Sequence, residues 1–369
     1  MNKPILLAAG GTGGHLFPAE ALAHELVARG YAPVLVTDRR AERFTTGFPA
    51  QSIHVVPSAT LASKNPVAML RTAWTLFAGY RQSANLIRRI KPLAAIGFGG
   101  YPTLPPMVAA TAAKVPAIVH EQNAILGRAN RLLASRVQLI ATGFRQIGKA
   151  VDTPMLETGN PVRPMVLAVS DSAYPKRKAS DPLRLVIFGG SQGARFFSEA
   201  LPPALELLTE AQRAKLSILQ QAREEDEAAL RRAYEKLGVA AETAPFFANM
   251  PEEISRAHFV IARAGASSVT ELAVIGRPSL LVPLPGSLDG DQAANAIAMA
   301  EAEGAYVVKQ AELGAERLSG LLQLALEEPE KLAGMAKNAR GTGVGDAARR
   351  LADCVECVIS GGDIASLKF

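Results

Sequence analysis

Residues 10–15 read Gly-Gly-Thr-Gly-Gly-His, set between the apolar run PILLAA and a segment of helical spacing. A glycine-rich turn leading from strand to helix bares backbone N–H groups at the positive end of the helix, where the macrodipole is equivalent to about half a charge. The chemistry that suits it is anion binding, above all of phosphate. A second turn of this design, beginning Gly189-Gly190-Ser191, follows LRLVIF, so two phosphate-bearing ligands are expected. His15 closes the first turn. It reads either as a structural helix residue bonding its own backbone, or as a proton acceptor or phosphate ligand, since imidazole titrates near neutrality. The dinucleotide fingerprint G-x-G-x-x-G is the competing reading, and Asp38 ends the next apolar run where a ribose-binding acid would stand. Counting from Gly11 and Gly13, however, its third glycine falls on Leu16, whose bulk obstructs the close helix–strand approach that glycine allows. An oxidoreductase is therefore disfavoured.

The elements around these turns repeat. After the first turn, Ala19, Leu22, Ala23, Leu26 and Val27 mark a helix closed by Gly30, and APVLVTD is a second strand. Continuous apolar strands of this kind belong to a buried parallel sheet. AAIGFGG and AIVHEQN extend the series, and HFVIARAGASS and PSLLVPLPG continue it after the second turn. The expected fold is α/β, two doubly wound Rossmann-like domains facing a central cleft, with ligands at the carboxyl ends of the strands. The expected boundaries are 1–160 for the first domain, 161–182 for a polar, Pro-containing linker, and 183–345 for the second domain. A chain of 369 residues suits two cores. The N-terminal run ends in Gly-Gly rather than a cleavage site, so no secretory signal is inferred, and every long apolar window is interrupted by Gly, Pro or charge, so no span is expected. Cys354 and Cys357 form a C-x-x-C pattern late in a helical segment, without the four ligands of a zinc site or the strand-loop-helix context of a redox pair, and are read as packing residues.

Charge is uneven. Residues 1–160 carry a balance of +10 and residues 161–369 one of −4, and no acidic residue lies between Glu42 and Glu121, whereas Lys64, Arg71, Arg81, Arg88, Arg89 and Lys91 do. An anionic partner is expected on that face. Within it, Leu70, Trp74, Phe77 and Arg81 recur at spacings of three or four, with Tyr80 adjacent. The spacing is that of a core-facing stripe; the mixture of aromatic and basic residues is that of an interfacial helix, which is the reading adopted. Six cations near an anionic leaflet contribute on the order of 1 kcal/mol each. Nucleic acid is not expected, because aromatics are only 5% and no reading helix or stacking module is present.

Six stretches, GGTGGH, GFGGYPT, HEQN, GNPVR, GGSQGAR and ARAGASSVTELAVIGRPSLLVPLP with DGDQAANA, occur in this order over essentially the whole chain. Together they resemble the MurG family of peptidoglycan N-acetylglucosaminyltransferases, of GT-B fold. The resemblance implies a cell-wall enzyme, peripheral on the cytoplasmic face of the bacterial inner membrane. It would move N-acetylglucosamine from UDP-N-acetylglucosamine to the 4-hydroxyl of the muramoyl sugar of an undecaprenyl-pyrophosphoryl pentapeptide acceptor, lipid I, with inversion and without a cofactor. Carried onto this sequence, Thr12, Gly13, Gly14 and Asn123 match donor-sugar contacts, and Arg163 and Ser191 match contacts to UDP. Phe247 matches a backbone contact to uracil. Ala266, Ser267, Ser268, Val269, Thr270 and Glu271 match the ribose and diphosphate segment, and Gln292 matches a contact to the sugar hydroxyls. Where the family often has two glutamines, this chain has Asp291-Gln292, and Asp291 can accept from a hydroxyl instead. The segment 346–369 would be a helix crossing back to the first domain.

Physical chemistry supports several of these roles. Glu271 can accept from both ribose hydroxyls at once, and Arg163 can offset charge building on departing UDP. No D-x-D pair directly follows a strand in a metal-binding arrangement, so metal-independent transfer is expected. Inversion requires a base opposite UDP; His15 is the first candidate and Glu121 the second. The membrane patch comprises Leu70, Arg71, Trp74, Phe77, Tyr80 and Arg81. A UDP-N-acetylglucosamine 2-epimerase and a catalytically silent nucleotide-sugar sensor are the alternatives; an epimerase would have no use for the basic aromatic stretch.

Overall fold

The computed structural model describes residues 3–41, 45–59, 65–190, 195–287 and 290–369. Ser191 therefore lies outside the described residues. The chain divides into two compact units, Met1–Arg163 with Asp346–Phe369, and Pro164–Gly345.

The first unit is a seven-stranded sheet, ordered β3-β2-β1-β4-β5-β6-β7, from β1 (Pro4–Ala8), β2 (Ala32–Thr37), β3 (Ser52–Val55), β4 (Ala94–Gly97), β5 (Ala117–Glu121), β6 (Leu139–Thr142) and β7 (Met155–Glu157). Every pairing is parallel. Strands β1, β4, β5 and β6 are buried along their whole length, as their unbroken apolar runs require when helices cover both faces. One face packs on the helix Gly13–Ala28 and the final helix Ala347–Ser360, with Leu16, Leu22, Leu26, Leu351 and Val355 in one core. The other face carries the helices Pro66–Ile90 and Leu104–Ala112. Order reverses at β1, and at such a switch point the loops after β1 and β4 diverge and leave a crevice.

The second unit repeats the design with six parallel strands, ordered β10-β9-β8-β11-β12-β13: β8 (Leu183–Phe188), β9 (Leu216–Gln221), β10 (Ala240–Ala244), β11 (Phe259–Ala262), β12 (Ser279–Leu281) and β13 (Ala305–Val307). The stretch 164–182, expected as a linker, belongs to this unit. Its polar groups are spent on packing. Arg177 is buried and donates to the carbonyls of Ala325 and Leu326, the Tyr174 hydroxyl donates to His258 O, and Arg340 donates to the carbonyls of Ser170 and Ser172.

Candidate active site

The first glycine turn runs from the end of β1 into the helix Gly13–Ala28. Gly11 has φ +86°, in the region that favours glycine, and its N–H donates to Asp38 Oδ1 at 2.8 Å. A side chain on Gly10 would lie 2.8 Å from that same oxygen and from Pro102. Asp38 thus holds the turn from beneath, with Arg40 donating to its other oxygen at 2.8 Å; this occupies the acid that the dinucleotide reading would give to a ribose. Leu16 is fully buried in the core. Thr12 stands at the helix N-cap without a side-chain capping bond, so the first amides of the helix, at Gly13 and Gly14, present the unsatisfied donors that an anion requires.

His15 is half-buried. Its Nδ1 lies 3.1 Å from Gly10 O; the carbonyl can only accept, so Nδ1 carries the proton and Nε2 keeps a lone pair. The ring lies against Gly99 and Gly100, with φ +83° and +74°, where an added Cβ would stand 3.3–3.4 Å from it. Burial pushes the imidazole pKa below its ordinary 6.5, opposed by the nearby carboxylates of Glu121 and, more weakly, Asp38.

Glu121 is 2% exposed at the end of β5. Its Oε1 accepts from the N–H and the side-chain amide of Asn123 at 3.0 and 3.2 Å, and its Oε2 from Gly127 N–H and Asn130 Nδ2, both at 2.8 Å. Four donors match the acceptor capacity of a carboxylate. Asn130, which the sequence reading missed, joins this loop to the glycines, since a Cβ at Gly99 would meet its Nδ2 at 3.3 Å. The only signal was a polar residue on the otherwise apolar buried side, with Ala129 and Leu133, of the short helix Arg128–Leu133. Beneath the loop, buried His120 donates from Nε2 to Gly159 O and accepts from Gln122 Nε2, and Asn160 Nδ2 donates to Gln122 O. This fastens HEQN to GNPVR. Arg163, at the end of that motif, lies 4.0 Å above the Phe17 ring and belongs to the first unit.

In the second unit, β11 runs through Arg263-Ala264-Gly265 into the helix Ala266–Ile275, which has no side-chain cap. Arg263 is buried, donates to the carbonyls of Val282 and Pro283, and bonds Gln310 Oε1 at 2.6 Å. Ser268 faces the turn after β8: a Cβ on Gly190 would come within 3.9 Å of its hydroxyl. Ala266, Ser268, Val269 and Thr270 are buried, whereas Ser267 and Glu271 are partly exposed. The helix ends at Gly276, φ +70°, where an added Cβ would meet Arg340 at 2.7 Å. Gln292 Oε1 accepts from Leu284 N–H, and Asp291 Oδ1 accepts from Gln292 N–H. Phe247 lies half-buried in the loop after β10, beside the largely exposed Phe246.

Residues 5–142 match the glycosyltransferase family 28 N-terminal domain and residues 184–351 its C-terminal domain. The chain is 57% identical, over all of its length and 99% of the relative's, to the UDP-N-acetylglucosamine–N-acetylmuramyl-(pentapeptide) pyrophosphoryl-undecaprenol N-acetylglucosamine transferase of Sinorhizobium fredii. The chain belongs to the MurG family of N-acetylglucosaminyltransferases. The crystal structure of MurG from Acinetobacter baumannii superposes with a TM-score of 0.76 at 28% identity, covering 96% of this chain and 99% of that one. A UDP-GlcNAc 2-epimerase from Neisseria meningitidis reaches a TM-score of 0.67 over 96% of this chain and 99% of its own, but at 13% identity shares the fold alone.

Against the residues that the MurG resemblance singles out, the structure gathers Thr12, Gly13, Gly14, His15, Glu121, Asn123 and Arg163 in the first unit and residues 266–271, Phe247 and Gln292 in the second. On the helix Pro66–Ile90, Val67, Leu70 and Trp74 are 71–74% exposed and Phe77 49%. Trp74 and Phe77 stand ring to ring at 6.0 Å, and Arg71 and Arg81 are exposed beside them. Tyr80 departs from the expected patch: it is half-buried against the core beneath the helix, as its place one step off the stripe dictates. Among the described residues no helix is long and apolar enough to cross a membrane.

Proposed function

We propose that this enzyme transfers N-acetylglucosamine from UDP-N-acetylglucosamine to the 4-hydroxyl of N-acetylmuramic acid in the undecaprenyl-pyrophosphoryl pentapeptide acceptor, converting lipid I to lipid II in peptidoglycan synthesis. The observation that carries it is full-length identity of 57% to a transferase of that name. The acceptor oxygen attacks the anomeric carbon on the face opposite UDP, the bond to the diphosphate breaks, and configuration inverts. His15 Nε2 takes the hydroxyl proton; the Nδ1–H bond to Gly10 O keeps that nitrogen unprotonated beforehand, and the charge of Glu121 favours the imidazolium formed. Glu121 acts as the scaffold of the loop that presents Asn123 to the donor sugar, together with Thr12, Gly13 and Gly14. The amides opening the helix Ala266–Ile275, with Ser191 and Arg163, hold the diphosphate and stabilise charge on departing UDP without a divalent ion. Glu271 accepts from the ribose hydroxyls, Gln292 and Asp291 meet sugar hydroxyls, and the backbone at Phe247 meets uracil. The exposed stripe Leu70-Trp74-Phe77 with its arginines docks the protein peripherally on the anionic cytoplasmic face of the membrane that carries the acceptor. No nucleic acid is part of this reading.

The test is transfer of labelled N-acetylglucosamine to a short-chain lipid I analogue in EDTA. Disaccharide product is expected, with kcat lowered on the order of 10²-fold or more in His15→Ala. Glu121→Gln should instead lose thermal stability, on the order of 5 °C or more, because an amide nitrogen would face two N–H donors at a cost of about 2–3 kcal/mol. Absence of product from protein that still binds UDP would reject the transferase. A Glu121→Gln variant of native stability with no turnover would return the base to Glu121.

A further inference from the structure

A cavity of about 890 Å³ opens in the first unit, lined by Asp38, Arg39, Arg40, Val55, Val56, Pro57, Ser58 and Gln82. It lies past the carboxyl ends of β2 and β3, where parallel sheets place ligands. None of the donor contacts proposed above lines it, yet Asp38 on its wall holds the first glycine turn through Gly11. Its opposite wall is the helix Pro66–Ile90, pressed so closely on the segment after β3 that a Cβ at Gly79 would overlap Pro57 O at 2.2 Å.

Among the described residues that line it, the charge of this cavity is positive. The one carboxylate among them, Asp38, is 4% exposed and is engaged by Gly11 N–H and Arg40 Nε. Arg39 and Arg40 are exposed, and guanidinium forks match carboxylates and phosphates. Its floor is apolar through Val55, Val56 and Pro57. The volume is many times that of one phosphate group and lies in the range of sites for extended organic ligands. The acceptor proposed above bears two anionic parts, a diphosphate and a peptide ending in a carboxylate. An apolar floor beneath two guanidinium groups fits the second.

We infer that this cavity binds the acceptor's peptide, with Arg39 and Arg40 receiving its carboxylate and Val55, Val56 and Pro57 its aliphatic side chains. The inference rests on the acceptor reading given above. The sugar hydroxyl is then presented at the glycine turn while the peptide is held one loop away, a separation that the Asp38–Gly11 bond makes rigid.

The experiment measures kcat/KM for two acceptor analogues that share sugar, diphosphate and lipid, one with the pentapeptide and one without it. Wild-type enzyme must form product with at least one of them; failure there sinks the transferase reading rather than this one. Where wild type turns over, it is expected to prefer the peptide-bearing analogue, and Arg39→Gln and Arg40→Gln should each cut that preference on the order of tenfold, through KM. Val55→Asp, placing a carboxylate on the exposed part of the cavity floor, should abolish it. An unchanged KM for UDP-N-acetylglucosamine reports that each variant is folded. A preference ratio equal to that of wild type in both arginine variants overturns the inference, whether the two analogues weaken equally, which assigns the arginines to the diphosphate, or neither weakens.

Discussion

The imidazole of His120 is fixed neutral from both sides, donating to Gly159 O and accepting from Gln122, and burial drives its pKa down to about 4. Unfolded histidine titrates near 6.5. Between these values the unfolded state binds the additional proton, so folding is favoured as pH rises and the stabilisation is complete above about pH 6.5. It is lost progressively as pH falls toward 4, to a total on the order of 3 kcal/mol. Thermal melts of the first unit across this window should therefore steepen in wild type, whereas His120→Gln should melt lower at pH 7 but with a shallower acid dependence. Equal slopes in the two proteins would mean that His120 does not contribute. His258, also held near 4 by burial and by neighbouring arginines, supplies a corresponding term in the second unit and is unaffected by this substitution. At this scale the sequence told less. The type and place of His15 and Glu121 were readable from their motifs, but the four donors converging on Glu121 come from residues up to nine positions away, and Asp38, a ligand acid only in the disfavoured dinucleotide reading, has as its partner a backbone amide 27 residues back. Pattern records spacing along a chain, and such closures are made in space.

At the scale of elements, the parallel strands, the first glycine turn and the helix closed by Gly276 were legible because burial on two faces leaves continuous apolar runs and because left-handed backbone demands glycine. The helix Pro66–Ile90 was ambiguous, since an apolar stripe at a spacing of three and four looks alike whether it faces a core or a lipid surface. Exposure takes the stripe out of its own unit's core. The helix touches its own unit through Leu86, Ile87 and Tyr80 and turns Val67, Leu70, Trp74 and Phe77 outward. Replacing Trp74 and Phe77 by Ser should accordingly leave the melting temperature within about 3 °C, because surface substitutions away from buried contacts each change stability by less than about 0.5 kcal/mol. The same pair should weaken sedimentation with anionic vesicles at least tenfold, as burial of each aromatic in an interface is worth about 1.5–3 kcal/mol, while UDP binding is retained. Undiminished vesicle binding would remove this helix from the docking surface; a large loss of stability would make the stripe part of a core.

At the scale of the whole molecule, the first unit is discontinuous in sequence. Its sheet is built from residues 4–157, yet the helix Ala347–Ser360, reached only after the entire second unit, buries Leu351, Ala352, Cys354 and Val355 at 0% exposure against it. Burial pushes the Cys354 thiol up to about 12, the state of a packing residue rather than a nucleophile. The rim is charged: Arg29 is held by Glu25, Asp353 and Glu356 at 2.7–2.8 Å, and Tyr31 donates to Glu356. At about 1.5–3 kcal/mol for each large apolar side chain, the buried face of this one helix amounts to on the order of 5–10 kcal/mol, comparable with the whole stability of a typical domain. A chain ending at Gly345 should therefore lose the first unit, with amide protection gone from β1, β4 and β5, while β8 and β11 of the second unit keep theirs. Supplying residues 346–369 as a separate peptide should restore part of the protection. Protection retained in β1 without the helix would show that the first core is closed by its own residues, and would reduce the crossing helix to a covering element.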